Sequence, residues 1–151
     1  MKKIILATAV SVAFSIASFA GEKNIDPKLL KDLATTLRNS MQVHWMSKAE
    51  YTKATFNFND KTAFAFYDAN DNELIGFGIQ SDKTDLPPVV SDALKNKYGD
   101  WAVVDAMTFI DTQGYINYFV QVEKNNKNFA LKISPDGHLN VYGKLYNPAN
   151  E

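Results

Sequence analysis

Seven short runs of alternating apolar and polar residues, each cut off by turn-forming residues, confine this 151-residue chain to a sheet of antiparallel hairpins. The runs are residues 52–58, 62–67, 74–79, 101–110, 115–123, 127–133 and 139–145. Links such as Asp68-Ala69-Asn70-Asp71-Asn72, Asp111-Thr112-Gln113-Gly114, Lys124-Asn125-Asn126 and Pro135-Asp136-Gly137 have the chemistry of tight turns. Links this short cannot carry a crossover between parallel strands, so neighbouring runs pair antiparallel.

Two segments break the alternation with a helical period. Asp26 is an N-cap, Pro27 suits the first helical position, and Leu29, Leu30, Leu33 and Leu37 form one stripe that ends near Asn39-Ser40. Residues 41–50 carry no clear signal. Leu86-Pro87-Pro88 opens a second helix over residues 89–98, with Val90, Leu94 and Tyr98 on its stripe and Gly99 at its end. A helix therefore precedes each group of strands. The expected class is α+β: two helix-plus-antiparallel-sheet units in tandem, about residues 26–80 and 86–146, with each helix packed on one sheet face. A gapless self-match supports an internal repeat, since residues 64–78 align with 129–143 with five of fifteen positions identical.

The first twenty residues read as a cleavable export signal. Lys2-Lys3 is a cationic start, residues 4–17 are apolar, and Ser18-Phe19-Ala20 places small side chains before Gly21. The apolar run is short of the roughly 20 residues a spanning helix needs. The remainder, residues 21–151, is one domain. Without Lys2 and Lys3 it has 14 basic against 17 acidic residues, a net charge of −3, which gives no electrostatic footprint for nucleic acid or anionic lipid. There is no cysteine, so neither a disulfide nor a lipid-anchored N-terminus can form. The expected location is periplasmic or extracellular, with no membrane anchor after cleavage.

The order of features has a parallel. An export signal, a helix, Val43-His44-Trp45, a Phe-rich hairpin running into residues 67–74, Leu86-Pro87-Pro88 with residues 94–98, then Tyr118-Phe119-Val120 and Phe129-Ala130-Leu131-Lys132-Ile133 before Asp136-Gly137 follow one another. This succession resembles the small secreted PepSY-like proteins of bacteria, grouped with the β-lactamase-inhibitor-like fold. The chain departs from that pattern at Gly99-Asp100, where a Tyr-Pro pair is usual, and at the non-glycine turn Asn72. The resemblance implies a non-enzymatic binding or inhibitory module.

Catalytic chemistry finds no foothold in the residues. Cysteine is absent, no serine sits in a Gly-x-Ser-x-Gly turn, and His44 and His138 are the only histidines. Two distant histidines without cysteine do not make a zinc site. Asp68-x-Asn70-x-Asn72 begins like a calcium loop, but Glu73 and Ile79 stand where that loop needs glycine and a bidentate glutamate. No cofactor, metal or catalytic residue is expected, and the chain reads as a non-enzyme.

The remaining signal is aromatic. Alternation assigns Phe56, Phe58, Phe64, Phe66, Tyr118, Val120, Val122, Phe129, Leu131, Ile133, Leu139 and Val141 to the helix-covered face. The opposite face then carries Tyr67, Ile75, Phe77, Ile79, Tyr115, Phe119 and Tyr142 among polar residues such as Asn117, Gln121 and Asn140, a composition common at protein-binding hot spots. Tyr67, Phe77, Phe119 and Tyr142 are the expected partner-binding anchors, Phe77 and Tyr142 occupying matched places in the self-alignment. Residues 101–110 are apolar on both faces, which fits a central strand or a contact between the units. The expected function is a secreted non-enzymatic binding module that engages a protein or peptide partner, protein or peptidase inhibition being one form of that role. The alternative is a carrier of a small apolar or envelope ligand held between helix and sheet.

Overall fold

The structure, a computed structural model, describes residues 26–144. The expected export signal at 1–20 and the last residues of the second unit, 145–146, lie outside them. Helix α1 spans Pro27–Asn39, and the Lys28 N–H donates to the Asp26 carboxylate at 3.0 Å, so the cap and boundaries follow the sequence signals. Strand β1, His44–Ser47, occupies the segment that carried no clear signal. The strands β2, Tyr51–Phe58, β3, Lys61–Asp68, and β4, Leu74–Ser81, follow. A 3-10 turn at Lys83–Asp85 leads into α2, Pro88–Tyr98, and then β5, Ala102–Asp111, β6, Ile116–Lys124, β7, Lys127–Ile133, and β8, Leu139–Lys144.

The eight strands form a single antiparallel sheet in sequence order, so every strand pairs with its chain neighbours. The class is α+β as expected. The strands are not divided into two sheets: β4 and β5 pair from Gly76–Asp111 to Ser81–Ala106, and β5 is a central strand.

Turn geometry sets the register. Asn59 and Asp60 both have positive φ, 49° and 62°, as a two-residue hairpin turn requires, and they place Phe58 opposite Lys61. Phe56 then faces Ala63, and Ala54 faces Ala65. Side chains directly opposite share a face, so Ala63 and Ala65 lie under α1 with Ala54 and Phe56, while Phe64 and Phe66 point to the other side. This reverses the faces expected for β3. It also inverts β4, where Phe77 and Ile79 join the α1-covered core.

Two cores fill the helix side. Leu33 of α1 packs over Ala54, Phe56, Phe58, Ala63, Ala65, Phe77 and Ile110. Val90 and Leu94 of α2 pack over Ala106, Tyr118, Val120, Val122, Leu131 and Ile133. In this half the faces expected for β6 and β7 hold. Val141 pairs with Leu131 on the helix side but stays exposed. The self-alignment is therefore out of phase with the sheet. Its shift matches Phe64 with Phe129 and Phe77 with Tyr142, and each pair lies on opposite faces.

Candidate functional site on the uncovered sheet face

Both helices pack on one side, yet the other side carries a third buried cluster: Tyr51, Phe64, Phe66, Met107, Phe109 and Phe119, with Ile75 and Tyr142 against it. Two glycines on β4 make room for it. Gly76 lies between Phe66 and Asp111, and Gly78 between Phe64 and Phe109, leaving a strip without side chains in the middle of the sheet. A Cβ on Gly76 would collide with the Ile110 carbonyl oxygen and come within 2.7 Å of the Phe109 ring; one on Gly78 would strike Met107 and come within 3.3 Å of Phe64. A bulge after Leu74 turns Ile75 to this side as well.

Over this strip the rings meet in sequence. Tyr51 contacts Phe66 at 5.7 Å between centroids, Phe66 contacts Phe109 at 5.9 Å, Phe109 contacts Phe119 at 5.9 Å and Phe119 contacts Tyr142 at 5.0 Å. All four are edge-to-face, the arrangement that ring quadrupoles favour. The contacts run from β2 to β8, and Phe109 at their middle is fully buried.

The face is concave. Six strand spacings separate β2 from β8 in sheet order, about 29 Å on a flat sheet. Even so, the Phe119 and Tyr142 rings meet at 5.0 Å across β7, and the Phe66 and Phe109 rings at 5.9 Å across β4. A flat sheet holds alternate strands about 10 Å apart, so the sheet coils toward this side. Burial, then Glu50, then Tyr51 push the Tyr142 phenol up to about 12.

Polar groups are set into this apolar floor. Lys53 is 4% exposed, with its ammonium 5.1 Å from the centre of the Phe64 ring. Burial, and secondarily the charge of Lys48, push its pKa down, against a smaller opposing pull from Asp105. Asn117, opposite Phe109, and Gln121, opposite Asp105, are both buried. Among the described residues, the Asn117 side-chain N–H₂ meets no acceptor.

The structure separates the four expected anchors. Phe119 and Tyr142 lie together on the concave face. Phe77 is 3% exposed beneath α1 and Tyr67 packs against the same core, its ring 5.9 Å from Trp45. Tyr51, Lys53, Phe64, Phe66 and Phe109 belong to the concave face and were not anticipated there. The two-residue turn Asn59-Asp60 was the signal that could have placed Phe64 and Phe66. The Asp68 carboxylate accepts from the Asn70 N–H at 2.7 Å, which makes that segment a side-chain-stabilised hairpin turn. His44 and His138 are both exposed.

No family model matches the chain, and no curated protein matches it in sequence. Solved structures do. A BLIP-like protein from Bacteroides fragilis NCTC 9343 superposes with a TM-score of 0.61 at 22% identity, covering 80% of this chain and 86% of that one. A candidate periplasmic protein from Bacteroides eggerthii DSM 20697 gives 0.64 at 15% identity, covering 82% and 94%. A DUF2874 family protein from Bacteroides uniformis ATCC 8492 gives 0.61 at 15% identity, covering 76% and 86%. Identities this low speak for architecture, and fold alone does not carry function. The β-lactamase-inhibitor-like half of the sequence resemblance is thus met in three dimensions, while the PepSY-like half rests on sequence features. In architecture, the chain shares the fold of a BLIP-like protein.

Proposed function

We propose that the chain is an exported, non-enzymatic binding module that holds a protein or peptide partner against the concave face of its sheet. The observation that carries this reading is the aromatic floor from Tyr51 to Tyr142 on the side that neither helix covers. A sheet face that only met water would be polar. The rings of the floor are already enclosed, so the surface a partner would cover is its partly exposed rim, Ile75 and Tyr142, with the exposed amides Gln80 and Asn140. The fold shared with a BLIP-like protein supports the reading. The export signal read at residues 1–20, and the fold shared with a candidate periplasmic protein, support a location outside the cytoplasm. Among the described residues no helix is long and apolar enough to cross a membrane, and no group of three His, Cys, Asp or Glu side chains could hold a metal.

Site-specific photo-crosslinking tests the reading. A crosslinker at Gln80 or Asn140, exposed positions on the concave side, should trap a protein from an envelope extract. The same group at Lys31 of α1 or Lys95 of α2 should not. Adducts from the helix positions alone would overturn the proposal.

A further inference from the structure

The concave face holds a cation where apolar packing alone would call for none. Lys53 of β2 is enclosed beside Phe64, opposite Phe66 on the neighbouring strand. Among the described residues, the ion pairs join Lys28 to Asp32, Lys61 to Asp85 and Lys124 to Asp100, and none includes Lys53. Asp105 is the acid whose field reaches Lys53, but its carboxylate accepts hydrogen bonds from Gln80 at 3.3 Å and the Ala106 N–H at 2.8 Å. An ammonium at the end of a largely enclosed side chain, with no contacting counter-ion among the described residues, is only partly solvated. The cation–π contact offsets only part of that cost. Asn117 adds a second donor across the glycine strip on the same face: its N–H₂ is buried and, among the described residues, meets no acceptor.

We propose that Lys53 is the docking point for a carboxylate carried by the partner, so that the occupant of the concave face is a peptide or protein segment presenting an aspartate or glutamate among apolar side chains. This rests on the reading that the concave face binds a protein or peptide. The charge is complementary, since a carboxylate supplies the counter-ion that Lys53 lacks and takes it into surroundings where the pair is poorly screened. The size is complementary as well. The ring contacts cross the sheet from β2 to β8, a span that suits a chain segment rather than one small acid. Burial and Lys48 both disfavour the charged Lys53, and a contacting carboxylate would oppose both.

The test is selection of a random-peptide display library on the purified chain, followed by binding measurements with the peptides obtained. Binders should carry an Asp or Glu next to aromatic or aliphatic residues, and binding should shift the NMR signals of Lys53 and Phe109. Replacing that acid by its amide should weaken binding to the unaltered protein by about tenfold or more, and should change nothing for Lys53→Met. Lys53→Arg should retain the acid preference. Binders that reach the concave face without an acid, or whose acid can be amidated without loss, would overturn the Lys53 assignment and leave the binding reading intact. No binder at all, or binders whose shifts are confined to α1 and α2, would overturn both. Should Lys53→Met fail to fold, the amide substitution in the peptide decides the matter without it.

Discussion

Tyr142 on the edge strand β8 and Tyr51 on β2 lie six strand positions apart in the sheet order, yet both belong to the ring cluster of the uncovered face. Tyr51 is among the groups that raise the Tyr142 phenol. The cluster also gives the protein a titration that reports on its burial.

Alkaline titration should reveal it. Tyr142 ionises near pH 12 in the folded chain, against 10.0 for an ordinary tyrosine, with burial as the main cause. Between those values the unfolded chain has released this proton and the folded chain still holds it, so unfolding becomes more favourable as pH rises. The contribution is intact below about pH 10 and is lost by about pH 12. Tyr51, Tyr67 and Tyr118 are shifted the same way by burial. Thermal melts should fall over this window, and Tyr142→Phe should fall less steeply. A Tyr142 that ionises like a free phenol in ultraviolet titration would refute the burial of its ring in this cluster.

Adding one methyl group at the glycine strip should be felt in stability. Gly76→Ala drives a Cβ into the Ile110 carbonyl and the Phe109 ring, and overpacking of this kind costs about 1–3 kcal/mol. Gly78→Ala mainly meets the thioether of Met107, a flexible group that can move aside, so its cost should be smaller. Urea denaturation of the two variants gives the order.

Phe77→Ala should lower stability by about 3–5 kcal/mol, because the ring is enclosed beneath α1 and in edge contact with Phe56 at 6.5 Å. Trp45→Ala should cost less than about 1 kcal/mol, because Trp45 is 56% exposed on the edge strand β1. Equal losses in chemical denaturation would mean that the helix side is misplaced.

Lys53→Met should leave stability unchanged or raise it, since a similar apolar stem replaces an enclosed cation that has no contacting counter-ion. A gain in melting temperature combined with weaker binding would show a residue kept for recognition rather than for the fold. A clear loss of stability would mean that the ring contact and the Asp105 field already compensate the charge.

Sequence signals went furthest where one local rule decided the outcome. Asp26-Pro27 placed the start of α1, and the stripe Val90-Leu94 placed the buried face of α2. At β3 the rule that large apolar residues mark the covered face fails. In Ala63-Phe64-Ala65-Phe66 the opposite holds: the alanines sit in the core beneath α1, and the phenylalanines fill the space opened by Gly76 and Gly78. That choice depends on residues several strands away. Phe119 and Tyr142 fell on the expected side because Tyr118 and Val120 fixed the parity of β6. Lys53 gave no signal at all, since an alternating lysine ordinarily marks the wet face of a strand.

The order of the strands has a consequence for how the molecule is made. Every strand's partners are its neighbours along the chain, and each helix precedes the strands it covers. A chain emerging N-terminus first can therefore close one hairpin after another, with no early strand waiting for a distant one. Nearest-neighbour pairing of this kind lowers the entropy of loop closure and shortens the time during which apolar edges stand open to aggregation. The edge left until last is β8, which carries Tyr142, so the concave face reaches its final shape only when the end of the sheet is in place.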